Sequence, residues 1–348
     1  MLFRRFYSAM SKPQVLRLGP VRYAHRKWDE LAKLAEVVQT TAENRSEFIK
    51  ELDAGKWDKV VAITRTFDSV EVTGRFDEEL ASHFPPSVKA VCHNGAGYDQ
   101  VDIPPFLKRK IQVSNVPSIV DDATADTHIY LLLSALRNFQ HSHHLLLQGK
   151  WETETAKCGG APIGNDPKGK TLGIFGMGGI GRAVRDRAAP FGFGKVIYHN
   201  RNRLSPDLEK DAEYVSFDEL LAQSDIVSIN IPLNPATRHS INKESISKMK
   251  DGVVIINTAR GAVIDESALI EALKSGKVKS CGLDVFEHEP HVPKELLELP
   301  NVVSLPHMGT HTHETMQSME EWVVTNVEDL LSKGKVTSIV PELKNESY

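Results

Sequence analysis

Three short apolar runs in the second half of the chain each lead into an ionisable side chain. Arg260 follows the run Val253–Asn257, Glu289 follows Cys281–Val285 and His307 follows Val302–Leu305. Such runs are typical of strands buried on both faces of a parallel sheet. Ligands of open α/β sheets bind outside the carboxyl ends of the strands, so we expect these segments to converge on one crevice. Guanidinium, carboxylate and imidazole groups can bind an anion and move a proton, which makes this crevice the candidate catalytic site.

A glycine-rich segment lies upstream of these residues. Gly176-Met177-Gly178-Gly179-Ile180-Gly181 fits the pattern G-x-G-x-x-G, follows the strand-like run Thr171–Phe175 and opens a helix. In that setting Gly176 makes a tight turn, Gly178 lets a pyrophosphate approach the backbone, and Gly181 allows close packing of helix and strand. The helix N-terminus stabilises the anion. The whole segment, including Gly179 and Ile180, is therefore predicted to bind a dinucleotide; a structural turn without a ligand is the alternative.

The residues that select the dinucleotide are expected about 20 residues further on, where an acidic side chain would accept hydrogen bonds from the ribose hydroxyls of NAD(H). The run Val196–Tyr198 instead leads into His199-Asn200-Arg201-Asn202-Arg203, and no acid occurs between Lys195 and Pro206. Arginines there can pair with a 2′-phosphate. We therefore expect NADP(H) to be favoured, with NAD(H) possible, and Asn200, Arg201 and Arg203 to contact the cofactor. The alternative is that both arginines simply point into water.

An alternation of strand-like and helix-like segments surrounds these motifs, which predicts a doubly wound α/β sheet. In the second half the further strand candidate is Ile226–Ile231, and the helix candidates are Gly181–Phe191, Phe217–Gln223, Glu266–Ser275 and Thr315–Ser332. In the first half the strand candidates are Val15–Leu18, Val60–Ile63, Lys89–Cys92 and Ile111–Val113, and the helix candidates are Trp28–Val38 and Arg45–Leu52. One long helix, Asp121–Gln148, is expected to link the two halves.

The three strand-end segments resemble the signatures of the D-isomer-specific 2-hydroxyacid dehydrogenases. The segments are Asn257-Thr258-Ala259-Arg260-Gly261, then Gly282-Leu283-Asp284-Val285-Phe286 with Glu289-Pro290, and Pro306-His307-Met308-Gly309. They occur in the order of the family and downstream of the same glycine turn. The resemblance covers nearly the whole chain from Met10, and within the family it points to the glyoxylate and hydroxypyruvate reductases, particularly the fungal ones.

The resemblance implies a hydride transfer from a nicotinamide to the keto carbon of a small 2-keto acid, and it implies a role for each of three residues. His307 would be the general acid that protonates the carbonyl oxygen. Glu289 would fix the imidazole and favour its protonated form. Arg260 would offer its donors to the substrate carboxylate and the polarised carbonyl.

The resemblance also implies further cofactor contacts. Asp284 would bind the nicotinamide carboxamide, although a strand-end acid that holds a loop is a competing interpretation. Thr127 follows Ala125-Asp126, where the family has Ala-Glu, so that contact is expected with less support. The remaining residues expected beside the cofactor are Pro232, Thr237, Thr258, Ala259, Arg260, His307 and Gly309.

A second candidate ligand turn lies in the first half, in His93-Asn94-Gly95-Ala96-Gly97-Tyr98-Asp99 directly after a strand-like run. Small residues in a tight turn expose successive backbone N–H groups, which bind anions. The resemblance implies that Gly95, Ala96 and Gly97 hold the substrate carboxylate together with Arg260 and His307. A plain strand–helix turn is the alternative.

We therefore expect two α/β domains: a Rossmann-type cofactor domain over residues 117–306 and a smaller flavodoxin-like substrate domain over residues 10–116 and 307–348. The family suggests a homodimer through the long helix. The chain has 348 residues, a net charge of −4 and three widely spaced cysteines. This composition gives no reason to expect nucleic acid, a membrane, a metal or a disulfide framework as part of the function.

The first nine residues form a basic, acid-free segment that is typical of organelle targeting. We expect a mitochondrial protein, a cytoplasmic one, or both. A short disordered tail, or initiation at Met10, would explain the same residues.

Three rivals share the fold. Formate dehydrogenases have glutamine where Glu289 stands, and phosphoglycerate dehydrogenases often carry regulatory tails for which the residues after Lys333 leave no room. A redox-gated corepressor that only binds the dinucleotide is the alternative from another functional class. The sequence leaves open which 2-keto acid is preferred, NADPH against NADH, and the number of subunits.

Overall fold

A computed structural model describes residues 12–153 and 157–348, which divide into two compact units. The first unit contains residues 12–120 and 312–348, and the second contains residues 121–311. The sequence placed these boundaries at 116/117 and 306/307. His307 therefore lies in the second unit, not in the unit with the chain ends. The predicted targeting segment, residues 1–9, lies outside the described residues.

The first unit opens with a parallel α/β array. Its elements are β1 (Gln14–Leu18), α1 (His25–Leu34), β2 (Glu36–Gln39), α2 (Arg45–Asp53), β3 (Val60–Arg65), α3 (Val70–Thr73), α4 (Glu78–His83), β4 (Ala90–His93), α5 (Ile103–Lys108) and β5 (Gln112–Ser114). The sheet order is β2-β1-β3-β4-β5, and every pair is parallel. This is the flavodoxin-like order, as predicted.

The region predicted as a helix over Trp28–Val38 is instead a helix followed by a strand. The helix α1 ends at Leu34, and Ala35 already has extended dihedral angles, φ −136° and ψ 158°. Val37 pairs with Val15 of β1. The β-branched Val37 and Val38 fit a pleated strand, and pairing with β1 decides their conformation against the local helical pattern.

The second unit holds the larger sheet. Its elements are α6 (Asp121–Arg137), α7 (Phe139–Leu147), α8 (Lys150–Thr153), β6 (Thr171–Phe175), α9 (Gly179–Ala188), β7 (Lys195–His199), α10 (Pro206–Glu209), β8 (Glu213–Tyr214), α11 (Phe217–Gln223), β9 (Ile226–Ile229), α12 (Lys243–Lys248), β10 (Val253–Asn257), α13 (Glu266–Ser275), β11 (Val278–Leu283), α14 (Lys294–Leu297) and β12 (Val302–Ser304). The last helix of the chain, α15 (His313–Lys333), belongs to the first unit, where it packs against α1 and β4.

The second sheet is a Rossmann-type sheet, which confirms the predicted fold class. All strands are parallel in the order β12-β11-β10-β9-β6-β7-β8. The strand order reverses between β6 and β9, and ligands of such sheets bind at the carboxyl ends beside this reversal. The glycine turn follows β6, and the three ionisable residues follow β10, β11 and β12.

The helix α6 covers the face of this sheet. Leu131 and Leu132 are fully buried and belong to a core with Ile174 and Ile256. A Cβ atom at Gly282 of β11 would lie 2.8 Å from Cβ of Leu131, so this glycine allows the helix to approach the strand closely. The first turn of α6 lies beside the glycine turn, because a Cβ atom at Gly179 would overlap the Asp121 carboxylate.

The single long helix predicted over Asp121–Gln148 is two helices. Asn138 has a left-handed conformation, with φ 56° and ψ 32°, and separates α6 from α7. Asparagine is one of the few residues that adopt this conformation readily, so it ends α6 without a glycine. No residue of α7 is buried in the chain. Among the described residues, no helix has the length and apolar content needed to cross a membrane.

Candidate active site

His307 and Glu289 form a hydrogen-bonded pair at the carboxyl ends of β12 and β11. The distance from His307 Nδ1 to Glu289 Oε2 is 2.7 Å. The second oxygen of Glu289, Oε1, accepts a hydrogen bond from the Phe286 N–H at 2.9 Å. The carboxylate is therefore oriented by its own loop and directed at the imidazole. This is the pair that the sequence predicted.

The charge of Glu289 follows from these contacts. Burial alone would raise the pKa of this carboxyl group, but the hydrogen bond and charge of His307, the Phe286 N–H and the charge of Arg260 lower it below its ordinary value. Glu289 is thus an anion at neutral pH. An anion beside Nδ1 keeps a proton on that nitrogen, so Nε2 is the ring nitrogen that can exchange a proton with a ligand.

Asp284 holds the segment that carries His307. Its two carboxylate oxygens accept the N–H groups of Met308 and Gly309, each at 2.8 Å, and its carbonyl accepts the His307 N–H at 2.8 Å. Asp284 is 1% exposed, and burial raises its pKa despite the two N–H groups and the nearby His307. Its contacts within the chain are those of a strand-end acid that holds a loop, which was the competing interpretation. His307 has a φ of 52°, and this backbone conformation is held by the same bonds.

Arg260 lies in the loop after β10, which is fixed to the loop of Glu289. The Asn257 side chain accepts the Ala259 N–H at 2.9 Å and donates to the Arg260 carbonyl at 2.8 Å. A Cβ atom at Gly261 would lie 1.8 Å from the carbonyl carbon of Phe286, so only glycine allows the two loops to touch. The structure therefore brings Arg260, Glu289 and His307 to one edge of the sheet.

A buried hydrogen-bond network lies beside the loop of Arg260, and the sequence does not predict it. His128 of α6 is fully buried, with Nδ1 2.9 Å from Thr258 Oγ1 and Nε2 2.8 Å from Ser228 Oγ. Asn230 Nδ2 donates to Ser228 Oγ at 2.9 Å. Burial lowers the pKa of His128 to about 3, so the ring is neutral. This network joins α6 to the ends of β9 and β10. The sequence has no signal for it, because a single histidine within an apolar helix indicates no partner.

The glycine turn has the geometry that a dinucleotide requires. Gly176 has a φ of 95°, and a Cβ atom there would lie 2.6 Å from Ile231 Cγ2. A Cβ atom at Gly181 would lie 2.3 Å from the Gly176 carbonyl oxygen, whereas one at Gly178 would meet no atom within 4 Å. Backbone packing thus requires glycine at 176 and 181, and the space at Gly178 is open for a phosphate. Because α9 begins at Gly179, its first N–H groups lack intrahelical acceptors.

Two of the three side chains that were expected to contact the cofactor after β7 form hydrogen bonds within the chain instead. Asn200 Oδ1 accepts the Met177 N–H at 2.7 Å and so fixes the glycine turn. Arg203 donates to Glu209 through Nε at 3.0 Å and Nη2 at 2.9 Å, and the buried Glu209 also accepts the Tyr198 hydroxyl at 2.8 Å. Glu209 lies three residues after Pro206, outside the acid-free stretch between Lys195 and Pro206. Within the described part of the chain, Arg201 is exposed and has neither a hydrogen bond nor an ion pair.

The remaining predicted cofactor residues lie in the second unit. The Thr237 hydroxyl donates to the Pro232 carbonyl at 2.7 Å, which closes the loop after β9. The Thr127 hydroxyl donates to the Ala123 carbonyl of its own helix at 3.2 Å. Both hydroxyls retain acceptor capacity for a ligand. No group of three His, Cys, Asp or Glu side chains that could hold a metal occurs in the described ranges.

The predicted carboxylate-binding turn lies in the first unit, and its three carbonyl groups are all engaged. Val116 N–H donates to the Gly95 carbonyl at 2.9 Å, Asn115 Nδ2 donates to the Ala96 carbonyl at 2.7 Å, and His93 Nε2 lies 2.9 Å from the Gly97 carbonyl. The N–H groups of Gly95, Ala96 and Gly97 have no acceptor among the described residues. Successive free N–H groups of this kind form an anion-binding concavity.

Comparison with known proteins identifies the family. The sequence profile of the D-isomer-specific 2-hydroxyacid dehydrogenase NAD-binding domain matches residues 129–309. Glyoxylate reductase 1 of Saccharomyces cerevisiae is 55% identical over 340 residues, which are 97% of this chain and 97% of that protein. The 4-methyl-2-oxopentanoate reductase A of Aspergillus oryzae is 48% identical over 333 residues, covering 96% of this chain and 99% of that protein.

Solved structures agree with this identification. A glyoxylate reductase from Paecilomyes thermophila superposes with a TM-score of 0.92 at 47% identity, covering 96% of this chain and 100% of that one. The NADPH-dependent glyoxylate/hydroxypyruvate reductase of Sinorhizobium meliloti, in complex with NADP and malonate, superposes with a TM-score of 0.84 at 30% identity, covering 97% and 99% of the two chains. The chain thus belongs to the D-isomer-specific 2-hydroxyacid dehydrogenases, as an NAD(P)-dependent enzyme of that type.

Proposed function

We propose that this enzyme reduces small 2-keto acids, glyoxylate and hydroxypyruvate foremost, to 2-hydroxy acids. The observation that carries the proposal is the 2.7 Å pair of His307 and Glu289 at the sheet edge that also holds Arg260. The glycine turn fits a dinucleotide, and the bound nicotinamide would supply the hydride. The names of the relatives from S. cerevisiae and S. meliloti support glyoxylate and hydroxypyruvate.

His307 is the proton donor in this proposal. Glu289 holds the proton on Nδ1, so the proton that moves is the one on Nε2. As negative charge develops on the keto oxygen, Nε2–H donates to it and the hydroxyl group forms. The imidazole is left neutral and regains its proton from solvent. In the reverse direction the neutral ring accepts the hydroxyl proton, and the charge of Glu289 stabilises the imidazolium that results.

Arg260 and the turn Gly95–Gly97 bind the substrate in this proposal. The planar guanidinium of Arg260 matches a carboxylate or a polarised carbonyl with two parallel donors. The free N–H groups of the turn are suited to the carboxylate. Both donor sets are fixed by other residues, since Asn257 holds the backbone of Arg260 and Asn115 holds Ala96. Each donor set is therefore preorganised for its own contact with the substrate.

We infer NADPH as the preferred cofactor. Arg201 is the arginine after β7 whose guanidinium has no partner in the described part of the chain, so it can bind a 2′-phosphate without breaking an existing contact. The relative from S. meliloti is NADPH-dependent and was solved with NADP. Pro232, Thr237, Thr258, Ala259, Asp284 and Gly309 remain proposed contacts of the same cofactor, with Thr127 on α6.

Steady-state kinetics with glyoxylate, hydroxypyruvate and 4-methyl-2-oxopentanoate, each with NADPH and NADH, test substrate and cofactor together. We expect turnover of the two smaller acids with NADPH. The His307→Ala variant should lose about 10³-fold in kcat/KM and still bind NADPH, whereas the neighbouring His311→Ala should behave as wild type. NADPH binding without turnover of any keto acid would refute the proposal and support a binding module. A preference for 4-methyl-2-oxopentanoate would correct the substrate.

We also propose a homodimer. The helices α7 and α8 expose Phe139, Leu146, Leu147 and Trp151, the last two at 72% and 64%. An exposed apolar patch of this kind is typical of a protein interface. The proposed occupant is a second copy of the chain, as the family suggests. Analytical ultracentrifugation should show a dimer that the Leu147→Asp variant dissociates; a monomeric wild type would contradict it.

A further proposal concerns the location of the protein in the cell and the role of residues 1–9. We propose that these residues direct part of the protein to mitochondria and that initiation at Met10 yields a cytoplasmic form. Microscopy of a fluorescent fusion to the full chain, and to the chain from Met10, should show mitochondria in the first case only. Identical distributions of the two fusions would contradict targeting.

A further inference from the structure

A buried arginine lies beneath the carboxylate-binding turn of the first unit. Arg65, the last residue of β3, is 1% exposed. Its guanidinium donates to Gln100 Oε1 at 2.6 Å and to Ser69 Oγ at 3.3 Å, and Nη1 lies 3.3 Å from His93 Nδ1. The ring of Phe76 lies 5.0 Å from the guanidinium carbon. Within the described ranges no carboxylate lies at ion-pair distance from Arg65.

The charge of Arg65 persists in this environment. Burial lowers its pKa to about 10; among the neighbouring charges, Asp99 raises the pKa and Arg75 lowers it further. The guanidinium is therefore protonated at neutral pH. A buried charge held by uncharged acceptors costs several kcal/mol relative to an apolar side chain of similar size. Such a cost calls for a function that a leucine or methionine would not provide.

His93 connects Arg65 to the turn. An arginine nitrogen can only donate, so Nδ1 of His93 is the acceptor and Nε2 carries the proton that is donated to the Gly97 carbonyl. A Cβ atom at Gly95 would lie 2.6 Å from His93 Nε2, so the turn rests directly on the imidazole. The guanidinium is therefore separated from the turn by the width of one ring.

We propose that Arg65 acts through His93 as a positioning residue for substrate, and that its buried charge strengthens binding of the carboxylate of a 2-keto acid at Gly95–Gly97. This inference rests on the proposed function of that turn. The guanidinium charge of Arg65 is separated from the turn by one imidazole ring and is surrounded by apolar and neutral groups. It therefore attracts an anion at the turn much more strongly than an exposed arginine would. An uncharged analogue of the substrate gains nothing from it.

The test compares glyoxylate with its uncharged methyl ester at saturating NADPH. The variants are Arg65→Met and Arg65→Gln, of which the second keeps a planar group that can donate to Gln100. Arg75→Met is the matched control, because Arg75 is half-exposed and paired with Asp102. In both Arg65 variants we expect the KM for glyoxylate to rise about tenfold, with kcat and the ester's kcat/KM within about twofold of wild type. Arg65→Lys, which keeps the charge, should stay within about threefold, and the control should not change.

Two results would overturn the inference. An unchanged KM for glyoxylate in Arg65→Gln would show that the charge does not reach the substrate. Equal losses with glyoxylate and the ester would show that Arg65 only maintains the fold. Calorimetric binding of oxamate to the NADPH complex, expected to weaken about tenfold in Arg65→Gln, tests the turn without turnover. Failure of the proposed function is distinct, because it shows as absent keto-acid reduction in the wild type.

Discussion

At the scale of single residues, the proposed chemistry of the site depends on the charge of one carboxylate. Glu289 accepts from His307 and from the Phe286 N–H, and its pKa is lowered in consequence. The carboxylate therefore stays ionised as the pH falls toward the ordinary range of a glutamate. In the proposed mechanism this anion stabilises the imidazolium that forms when the ring holds both of its protons.

Replacing Glu289 by Gln removes this charge and keeps the size of the side chain. The decline of keto-acid reduction at high pH should then begin at a lower pH than in the wild type, because the substitution removes the anion that stabilises the imidazolium. We expect kcat/KM for glyoxylate to fall about 10²-fold at pH 7. The measurement is kcat/KM from pH 5 to pH 9, with the exposed Glu298→Gln as control. A basic limb at the wild-type position would contradict the role of Glu289.

The proposed preference for NADPH also depends on single residues. Both arginines are exposed, but Arg203 already donates twice to Glu209, whereas Arg201 has no partner in the described part of the chain. Arg201→Ser should therefore raise the dissociation constant for NADPH about tenfold and leave that for NADH unchanged. Arg203→Ser should have a smaller effect on NADPH. Titration of NADPH fluorescence measures both, and equal effects of the two substitutions would show that the Glu209 contact does not restrain Arg203.

At the scale of elements, His128 joins α6 to the strands that end beside Arg260. Its neutral ring bonds Thr258 and Ser228 at once, so the helix and the ends of β9 and β10 share one buried polar contact. The pKa of His128 is about 3 in the folded chain, against an ordinary value near 6.5 in the unfolded chain. The unfolded state therefore binds the proton first as the pH falls. This contribution to stability is present above about pH 6.5 and is lost between pH 6.5 and 3.

The wild type should accordingly lose about 2 kcal/mol of unfolding free energy through His128 alone between pH 7 and pH 5. His128→Leu should lower stability by about 3 kcal/mol at pH 7, because it leaves buried hydroxyl groups without their partner, and should flatten the pH dependence. The exposed His143→Leu is the matched control and should change neither. Urea unfolding at pH 5, 6 and 7 gives these values, and an unchanged pH slope in His128→Leu would contradict the buried neutral ring.

What the sequence could predict at this scale follows from how local each signal is. The strand Thr171–Phe175, the glycine turn and the helix Glu266–Ser275 are encoded by contiguous residues, and the structure has the strand and helix with those bounds. The local pattern does not predict the strand β2, because its conformation depends on pairing with β1, 22 residues away along the chain. The buried roles of His128, Glu209 and Arg65 depend on partners that no spacing rule connects. The residues that we propose to do chemistry have sequence signals of their own, whereas most of the residues that hold them in place do not.

At the scale of the whole molecule, the two units carry different predicted ligand-binding loops. The turn Gly95–Gly97 belongs to the first unit, and the glycine turn and the proposed catalytic residues belong to the second. Each unit fixes its own ligand-binding loop through its own hydrogen bonds, as Asn115 does for Ala96 and Asn200 does for Met177. Binding of the acid and binding of the cofactor should therefore be separable by mutation.

Asn115→Ala tests this separation. It removes the donor to the Ala96 carbonyl, which is then free to rotate and to disturb the neighbouring N–H groups. We expect the KM for glyoxylate to rise about fivefold while the dissociation constant for NADPH stays within error, because a lost hydrogen bond is worth about 1 kcal/mol. Asn44→Ala is the matched control in the same unit: its side chain caps α2, so the substitution should cost about 1 kcal/mol of stability and leave the KM unchanged. If Asn115→Ala weakened NADPH as much as glyoxylate, the two units would not bind their ligands through separate loops. The assignment of Gly95, Ala96 and Gly97 to the acid alone would then be wrong.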